Sequence, residues 1–176
     1  MDIKNRITGE VYFVTDTVVD WMDIFTRPIY RHIIIESLKY CQTEKGLLIY
    51  AWVLMTNHMH MIVGSGGENK VSDKLRDFKK LSSKEIIRTL QVESSESRRD
   101  WMLNRFEYAW KNDKKIKNYR FWQEGNDAQE IFLNDYFNQK LNYIHENPVK
   151  EEIVNRAEDY KIVQLLIGSD EKGCWR

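Results

Sequence analysis

A long apolar run followed by an alternating one constrains the fold of this 176-residue chain more than any other feature. Residues 47–55 (LLIYAWVLM) are continuously apolar, which is typical of a strand covered on both faces. After a polar Thr-Asn pair, residues 58–63 (HMHMIV) are predicted to form the partner strand. Because side chains alternate along a strand, His58 and His60 project from one face. The opposite face carries apolar side chains suited to a core, namely Met59, Met61 and Val63.

The rest of the chain predicts one earlier strand and several helices. Residues 10–19 are β-rich, and residues 29–44 carry apolar side chains at helical spacing, with Pro28 in the first turn and Gly46 at the end. The remaining predicted helices cover residues 71–92, 98–110 and 134–146. Short connecting or strand segments are predicted at residues 121–123 and 160–167.

This order of elements predicts an α+β protein in which helices pack on an antiparallel sheet. A ferredoxin-like arrangement is one such fold. The helix over residues 134–146 should stop at Asn147, because Pro148 disfavours helical backbone in the residue before it. A tail of short helix and loop is expected from about residue 151. The length is that of about one domain, so residues 1–176 are expected to form a single one.

The composition excludes several classes of protein. Lys and Arg total 27, as do Asp and Glu, which excludes a uniformly basic binder and a disordered acidic chain. Charge is nevertheless segregated along the chain. Two segments are basic: residues 70–88 carry seven basic and three acidic side chains, and residues 105–122 carry six basic and two acidic ones. Residues 123–160 are acidic, with nine acidic and three basic side chains. Such segregation is typical of a protein that turns one face to a polyanion, and also of solvated helix faces.

The cysteines and the apolar runs indicate the compartment. Cys41 and Cys174 lie far apart and form no CxxC motif, so zinc-ribbon and thioredoxin-like sites lack their ligands. The first residues contain no apolar stretch of the kind a signal peptide needs, and the run at residues 47–55 is too short to cross a bilayer. We therefore expect free thiols, a cytoplasmic location and no membrane partner.

The His-Met-His sequence is the strongest indication of chemistry. Two imidazoles on the same face of a strand can share one metal ion, and neutral imidazole suits several transition metals. His58 and His60 are two of only four histidines in the chain. The alternative is a pair of solvent-facing histidines on a half-exposed strand, and the pair alone does not exclude it.

A second group of polar side chains falls on the helix predicted over residues 134–146. Four of them are spaced by four, three and four residues, which places them on one helix face: Tyr136, Lys140, Tyr143 and Asn147. The amide oxygen of Asn147 could reach a metal ion toward which Tyr143 also points. The alternative is a surface tyrosine followed by an ordinary helix-end asparagine.

Three segments in this order resemble the single-tyrosine transposases of the HUH superfamily, most of all the REP-associated tyrosine transposases. They are residues 51–63 (AWVLMTNHMHMIV), residues 121–125 (FWQEG) and residues 143–149 (YIHENPV). Each segment alone is modest, whereas the three together, in this order and spacing, are specific. The resemblance extends from about Gly9 to Val154, which is nearly the whole chain.

This resemblance implies an HUH nuclease fold and a DNA transposase or endonuclease. It implies that His58, His60 and Asn147 bind a divalent metal ion, Mg²⁺ or Mn²⁺. It implies that Tyr143 is the catalytic nucleophile on single-stranded, hairpin-bearing DNA such as REP-like repeats, leaving a 5′-phosphotyrosine and a free 3′-OH. The segment 121–125 matches a family signature whose chemical role the residues do not reveal.

Single-stranded DNA suits a chain that is 12% aromatic, because unstacked bases can stack on exposed rings. Most of the six tryptophans are nevertheless expected in the core. The basic segments and the tyrosine helix supply the candidate contacts to the DNA backbone, namely Lys74, Lys79, Lys80, Lys114, Lys115, Lys117 and Lys140.

Two other functions remain open from the sequence. One is a DNA-binding protein of the same fold that has lost catalysis, which would have no chemical need for His58, His60, Tyr143 and Asn147 together. The other is a metal-dependent nuclease without a covalent step, which would tolerate Tyr143→Phe. The sequence also leaves open whether the protein is a monomer or a homodimer.

Overall fold

The computed structural model describes residues 10–111, 118–125 and 127–165. Its strands are β1 (Val11–Thr17), β2 (Leu47–Leu54), β3 (His58–Ser65), β4 (Gln129–Glu130) and β5 (Val163–Leu165). Its helices are α1 (Pro28–Lys45), α2 (Val71–Val92), α3 (Arg99–Lys111) and α4 (Asn134–Lys150). In these described ranges, no helix has the length and apolarity needed to cross a membrane.

The five strands form one antiparallel sheet in the order β4-β1-β3-β2-β5. The first four strands have the ferredoxin-like order, so the predicted α+β fold is confirmed. Strand β3 lies at the centre, and its His60 is paired with Thr15 on one side and Val53 on the other. The two histidines therefore project from the middle of the sheet and not from its edge.

Both faces of the sheet are covered. Helices α1 and α2 pack on one face, where Met59, Met61 and Val63 are buried as predicted. Helix α4 packs on the other face, where Phe137 and Ile144 contact the apolar side chains of the first three strands. The second face is the one from which His58 and His60 project, so α4 is the element that can bring further groups to the histidines.

A lysine lies buried at the junction between α1 and β2. Helix α1 ends at Gly46, whose φ of 66° is left-handed, and a Cβ there would lie 2.7 Å from the carbonyl oxygen of Gly66. The Lys74 ammonium donates to the carbonyl oxygens of Gly46 and Gly66, at 2.8 and 2.7 Å. Because Lys74 is only 3% exposed, the prediction that it contacts DNA is wrong; it holds this junction together.

Helix α4 does not stop at Asn147 as predicted, but continues through Pro148 to Lys150. Proline removes one N–H donor, and the chain beyond it restores the pattern, since the Glu151 N–H donates to the Asn147 carbonyl at 3.0 Å. Asn147 thus lies inside the helix, on the same face as Tyr143. The tail from residue 151 includes a short 3₁₀ turn (Ala157–Asp159) and β5, which pairs with β2.

Candidate active site

The two histidines of β3 lie side by side. Their ring centroids are 4.9 Å apart and their planes meet at 74°. His58 is half-buried, whereas His60 is only 5% exposed. The same-face geometry predicted for this pair is therefore present, and the half-exposed strand considered as an alternative is not.

Asn57 fixes the orientation of the His58 ring. Its amide nitrogen donates to the carbonyl oxygen of Trp21 at 3.1 Å and to a carboxylate oxygen of Asp23 at 3.0 Å. Because both partners are acceptors, the amide oxygen of Asn57 must face His58 Nδ1, which lies 2.8 Å away. The proton of the neutral ring is then on Nδ1, and the Nε2 lone pair is left for a ligand.

His60 has a similar arrangement with a different partner. Its Nδ1 lies 2.9 Å from the Thr15 hydroxyl, whose oxygen can accept a hydrogen bond from the ring N–H. Its Nε2 is buried and has no hydrogen-bond partner among the described residues. A buried ring nitrogen left in this way is uncommon, and a ligand, an ion or a water molecule at this position would complete its hydrogen bonding or coordination.

Both histidines are held neutral. Burial, together with the positive charge of Lys140 and the neighbouring His58, lowers the pKa of His60 to about 3. Burial also lowers the pKa of His58, and the negative charge of Glu151 opposes this shift. A neutral imidazole is the form that binds a metal ion, so the site is in the required state near neutral pH.

Helix α4 places Tyr143 against this pair. The Tyr143 ring centroid is 5.1 Å from that of His60, and the rings meet edge to face at 75°. Phe13 of β1 packs against both of them, at 5.4 Å from His60 and 5.8 Å from Tyr143. Two residues that are distant in sequence therefore share one packed aromatic cluster.

Asn147 lies one helical turn beyond Tyr143 and is only 2% exposed. Its side-chain oxygen is buried and has no hydrogen-bond partner among the described residues. One turn further on is Glu151, whose charge acts on His58. Asn147 thus lies between Tyr143, whose ring contacts His60, and Glu151, which follows the end of α4 and whose charge acts on the pKa of His58.

These groups fit a divalent metal ion. The free ring nitrogen of His60 and the free amide oxygen of Asn147 are buried acceptors, and His58 presents a third donor. Nitrogen and oxygen donors together suit Mn²⁺ and, with added water ligands, Mg²⁺. The described residues contain no cluster of three or more His, Cys, Asp or Glu side chains arranged for a metal ion.

Two lysines flank the Tyr143 ring. The Lys140 ammonium is 4.2 Å from the Phe13 ring centroid and 5.7 Å from that of Tyr143. The Lys150 ammonium is 5.0 Å from the Tyr143 ring centroid. The sequence indicated Lys140 but not Lys150, because the predicted helix ended too early. Both bring positive charge to the tyrosine ring.

The other predicted DNA contacts have different outcomes. The Lys79 ammonium lies 2.8 Å from a carboxylate oxygen of the fully buried Asp16 and also donates to the Gly125 carbonyl, so it is occupied in the fold. Burial raises the pKa of Asp16, and Lys79 opposes that shift. Lys80 is exposed on α2, on the opposite side of the sheet from α4. Lys114, Lys115 and Lys117 lie outside the described residues.

The Phe-Trp-Gln motif at residues 121–123 supports the end of β1. Phe121 and Trp122 are core residues, and the Trp122 ring N–H donates to the Ser82 hydroxyl at 3.1 Å. The Phe121 carbonyl accepts the Val19 N–H at 2.9 Å, and the Gln123 N–H donates to the carbonyl of Thr17, the last residue of β1, at 2.8 Å. The motif therefore holds the turn that carries Trp21.

Trp21 is a residue that the sequence did not single out. It is 58% exposed, and its ring centroid lies 6.0 Å from that of His58. The expectation that most tryptophans are buried holds for Trp52 and Trp122 but fails for Trp21 and Trp101, both more than half exposed. Composition does not distinguish the two sets.

Comparison with known proteins gives one informative result. No family model and no curated protein matches the chain. A solved REP-associated tyrosine transposase bound to a REP hairpin aligns with a TM-score of 0.59 and 21% identity, over 89% of this chain and 77% of that chain. A protein from Deinococcus radiodurans R1, provisionally assigned as a transposase, aligns with a TM-score of 0.46 and 12% identity, over 80% and 92%.

The chain therefore belongs to the structural class of α+β proteins built on a ferredoxin-like sheet. Within that class it has the fold of the REP-associated tyrosine transposase, which confirms the fold that the sequence resemblance implied. A shared fold at this identity does not by itself assign an activity, so the function is argued from the site.

Proposed function

We propose that this protein is a metal-dependent tyrosine transposase that cleaves and rejoins single-stranded, hairpin-bearing DNA. The observation that carries the proposal is the contact between the Tyr143 ring and His60, at 5.1 Å between centroids. It joins the phenol of Tyr143 to the pair of neutral imidazoles, and the same helix also carries the buried amide oxygen of Asn147. These are the groups that the resemblance implies for this reaction. The work of such an enzyme would be on cellular DNA, in the cytoplasm.

The reaction is a phosphodiester exchange. The Tyr143 oxygen attacks the scissile phosphorus and forms a new phosphorus–oxygen bond, while the bond to the 3′ oxygen breaks. The phenol loses a proton and the departing 3′ oxygen gains one, so the step is balanced. The product is a 5′-phosphotyrosine with a free 3′-OH. Since one phosphodiester replaces another, a 3′-OH can later reverse the step without ATP.

The protein contributes position and charge. His58, His60 and Asn147 would hold a divalent ion, which polarises the phosphate and neutralises the charge that develops on it. Lys140 and Lys150 bring two ammonium groups to the tyrosine ring. Positive charge beside the tyrosine would also attract the anionic DNA backbone.

The deciding experiment detects the covalent product. Single-stranded hairpin DNA from the flanks of the gene, labelled at the 5′ or 3′ end, is incubated with protein and Mg²⁺ or Mn²⁺. A denaturing gel should show a metal-dependent protein–DNA adduct on the 5′ end of the cleaved strand. Tyr143→Phe should abolish the adduct, whereas Tyr136→Phe, the matched change two turns earlier on α4, should retain it.

Other outcomes identify the alternatives. Cleavage that persists in Tyr143→Phe would exclude the tyrosine mechanism and favour a metal-dependent nuclease without a covalent step. Tight hairpin binding without cleavage, over a panel of flanking hairpins and both metals, would favour the DNA-binding protein that has lost catalysis. The neighbouring solved structure is itself bound to a REP hairpin, which makes REP-like hairpins the first substrates to try.

A further inference from the structure

An exposed tryptophan lies beside the candidate site. Trp21 is 58% exposed, in contrast to Trp52 and Trp122, which are core residues. Its ring meets that of His58 at 68°, with 6.0 Å between centroids. An exposed aromatic ring at such a position offers a face on which a nucleobase can stack.

The turn that carries Trp21 has an uncommon backbone. Asp20 and Trp21 have φ values of 55° and 53°, which lie in the left-handed region. Asp visits this region readily, whereas a bulky residue such as Trp does so rarely. Residues in such conformations persist only where surrounding contacts hold them, and they concentrate at functional sites.

Contacts from three parts of the chain hold this turn. The Trp21 N–H donates to the Val18 carbonyl at 3.0 Å, and the Trp21 carbonyl accepts from Asn57 at 3.1 Å. The Arg105 guanidinium lies 2.6 Å from the carboxylate of Asp20. Asn57 also orients His58, so one side chain fixes both the tryptophan and the histidine.

We propose that Trp21 is a stacking platform for a nucleobase of single-stranded DNA, next to the phosphate at the histidine pair. This inference rests on the proposed function and adds the residue that receives the base. A nucleotide whose phosphate lies at His58 has its base within reach of the Trp21 ring. Stacking uses the face of the base, so Trp21 contributes affinity and position and does not read the sequence.

The choice of nucleic acid over a protein partner follows from the surroundings. The ring adjoins His58, and its backbone carbonyl belongs to the Asn57 network, so the groups shown beside it are polar. An exposed ring next to a phosphate site suits a base, whereas the centre of a protein interface is apolar.

The test measures binding of a short single-stranded DNA that carries 2-aminopurine beside the scissile position, in the presence of Ca²⁺ to prevent cleavage. Wild-type protein should bind the DNA and quench the fluorescence by stacking. Trp21→Ala should weaken binding about 10-fold and remove the quenching. Trp21→Phe should retain most of both, and Trp21→Leu, which keeps apolar bulk without a π-face, should behave like the alanine variant.

Two further measurements separate this role from a structural one. Tyr40→Ala removes another exposed aromatic ring, 46% exposed on α1 on the other side of the sheet, and should leave binding and quenching unchanged. Mn²⁺ affinity should be the same in wild type and in Trp21→Ala. Loss of Mn²⁺ binding in Trp21→Ala would overturn the inference, because Trp21 would then support the histidines instead of a base.

The outcomes also distinguish this inference from the proposed function. If wild type forms the covalent adduct while Trp21→Ala binds and quenches like wild type, the stacking role is overturned and the transposase proposal stands. If wild type neither binds single-stranded DNA nor forms an adduct, both fail. If Trp21→Phe loses binding as completely as Trp21→Ala, stacking by an aromatic ring is not the reason for the effect and the inference is overturned.

Discussion

The Tyr143 ring lies edge to face against His60, with 5.1 Å between the ring centroids. Tyr143 comes from helix α4 and His60 from the central strand β3, so the sheet and the helix on it must be correctly packed before the two can meet. Phe13 contacts both rings and fixes their separation. The position of the candidate nucleophile is thus determined by core packing, and not by a flexible loop.

The first prediction concerns metal binding by the buried acceptors. His60→Ala and Asn147→Ala should each weaken Mn²⁺ binding by at least about 10–100-fold, the loss that even an indirect partner of a metal site causes. Titration calorimetry on folded, DNA-free protein measures this directly. His32→Ala, at an exposed position of α1 on the other side of the sheet, is the matched control and should bind Mn²⁺ like wild type. Unchanged affinity in both site variants would contradict the proposed ligand set.

The second prediction concerns Asn57, which orients His58 without being a ligand. Asn57→Ala removes the acceptor of the His58 Nδ1 proton and frees the ring to rotate or change tautomer. Mn²⁺ affinity should fall about 10–100-fold while the protein remains folded. Asn104→Ala, at an exposed position of α3, removes the same chemical group and should have no effect. Equal affinities for the two variants would show that the amide is not needed for orientation.

The third prediction follows from the lowered pKa of His60 in the metal-free protein. Burial, His58 and Lys140 hold this pKa at about 3, whereas a histidine in the unfolded chain has a pKa of about 6.5. Between these values the unfolded state binds more protons. The free energy of unfolding should therefore fall as the pH falls below about 6.5, by up to about 1.4 kcal/mol per pH unit from this group.

Urea unfolding between pH 7 and pH 4 tests the sign. His60→Gln removes the titrating group, so its stability should decline less steeply with falling pH than that of wild type. His32→Gln changes an exposed histidine and should keep the wild-type slope. If the free energy of unfolding falls equally steeply toward low pH in wild type and in His60→Gln, then His60 is not held neutral.

The parts of the site that depend on local periodicity could be predicted from the sequence. Alternation along β3 placed His58 and His60 on one face, and helical spacing placed Tyr143 and Asn147 on another. That these two faces meet could be inferred only from the family resemblance, because residue spacing along the chain does not show which helix packs on which face of a sheet.

Two of the three errors in the predictions come from contacts between segments that are distant in sequence. Lys74 looked like a surface charge, but two carbonyl oxygens that converge at the end of α1 bury its ammonium group. Most tryptophans were expected in the core, but a left-handed turn held by Asn57 and Arg105 leaves Trp21 exposed. Pro148 was expected to end the helix, but backbone hydrogen bonds just beyond it extend the helix. The contacts of Lys74 and Trp21 join segments that are distant in sequence, whereas those beyond Pro148 are local.

The last prediction separates a lysine that serves DNA from one that serves the fold. Lys140 holds its ammonium over the Phe13 ring and near Tyr143, so Lys140→Met should keep the apolar packing and lose only the charge. The slope of log affinity for single-stranded DNA against log salt should become shallower by about 1, as expected when one phosphate contact is lost. Fluorescence anisotropy over a salt series measures this slope.

Lys74→Met provides the contrast. It removes the ammonium that donates to the carbonyl oxygens of Gly46 and Gly66, which should lower the free energy of unfolding by about 1–3 kcal/mol. Its salt slope should equal that of wild type, because a buried ammonium releases no counterion from DNA. A reduced slope in Lys74→Met, or an unchanged slope in Lys140→Met, would contradict the assignment of these two charges. The comparison is decisive because both variants make the same chemical substitution, one on the helix that carries Tyr143 and the other at a buried junction on the opposite side of the sheet.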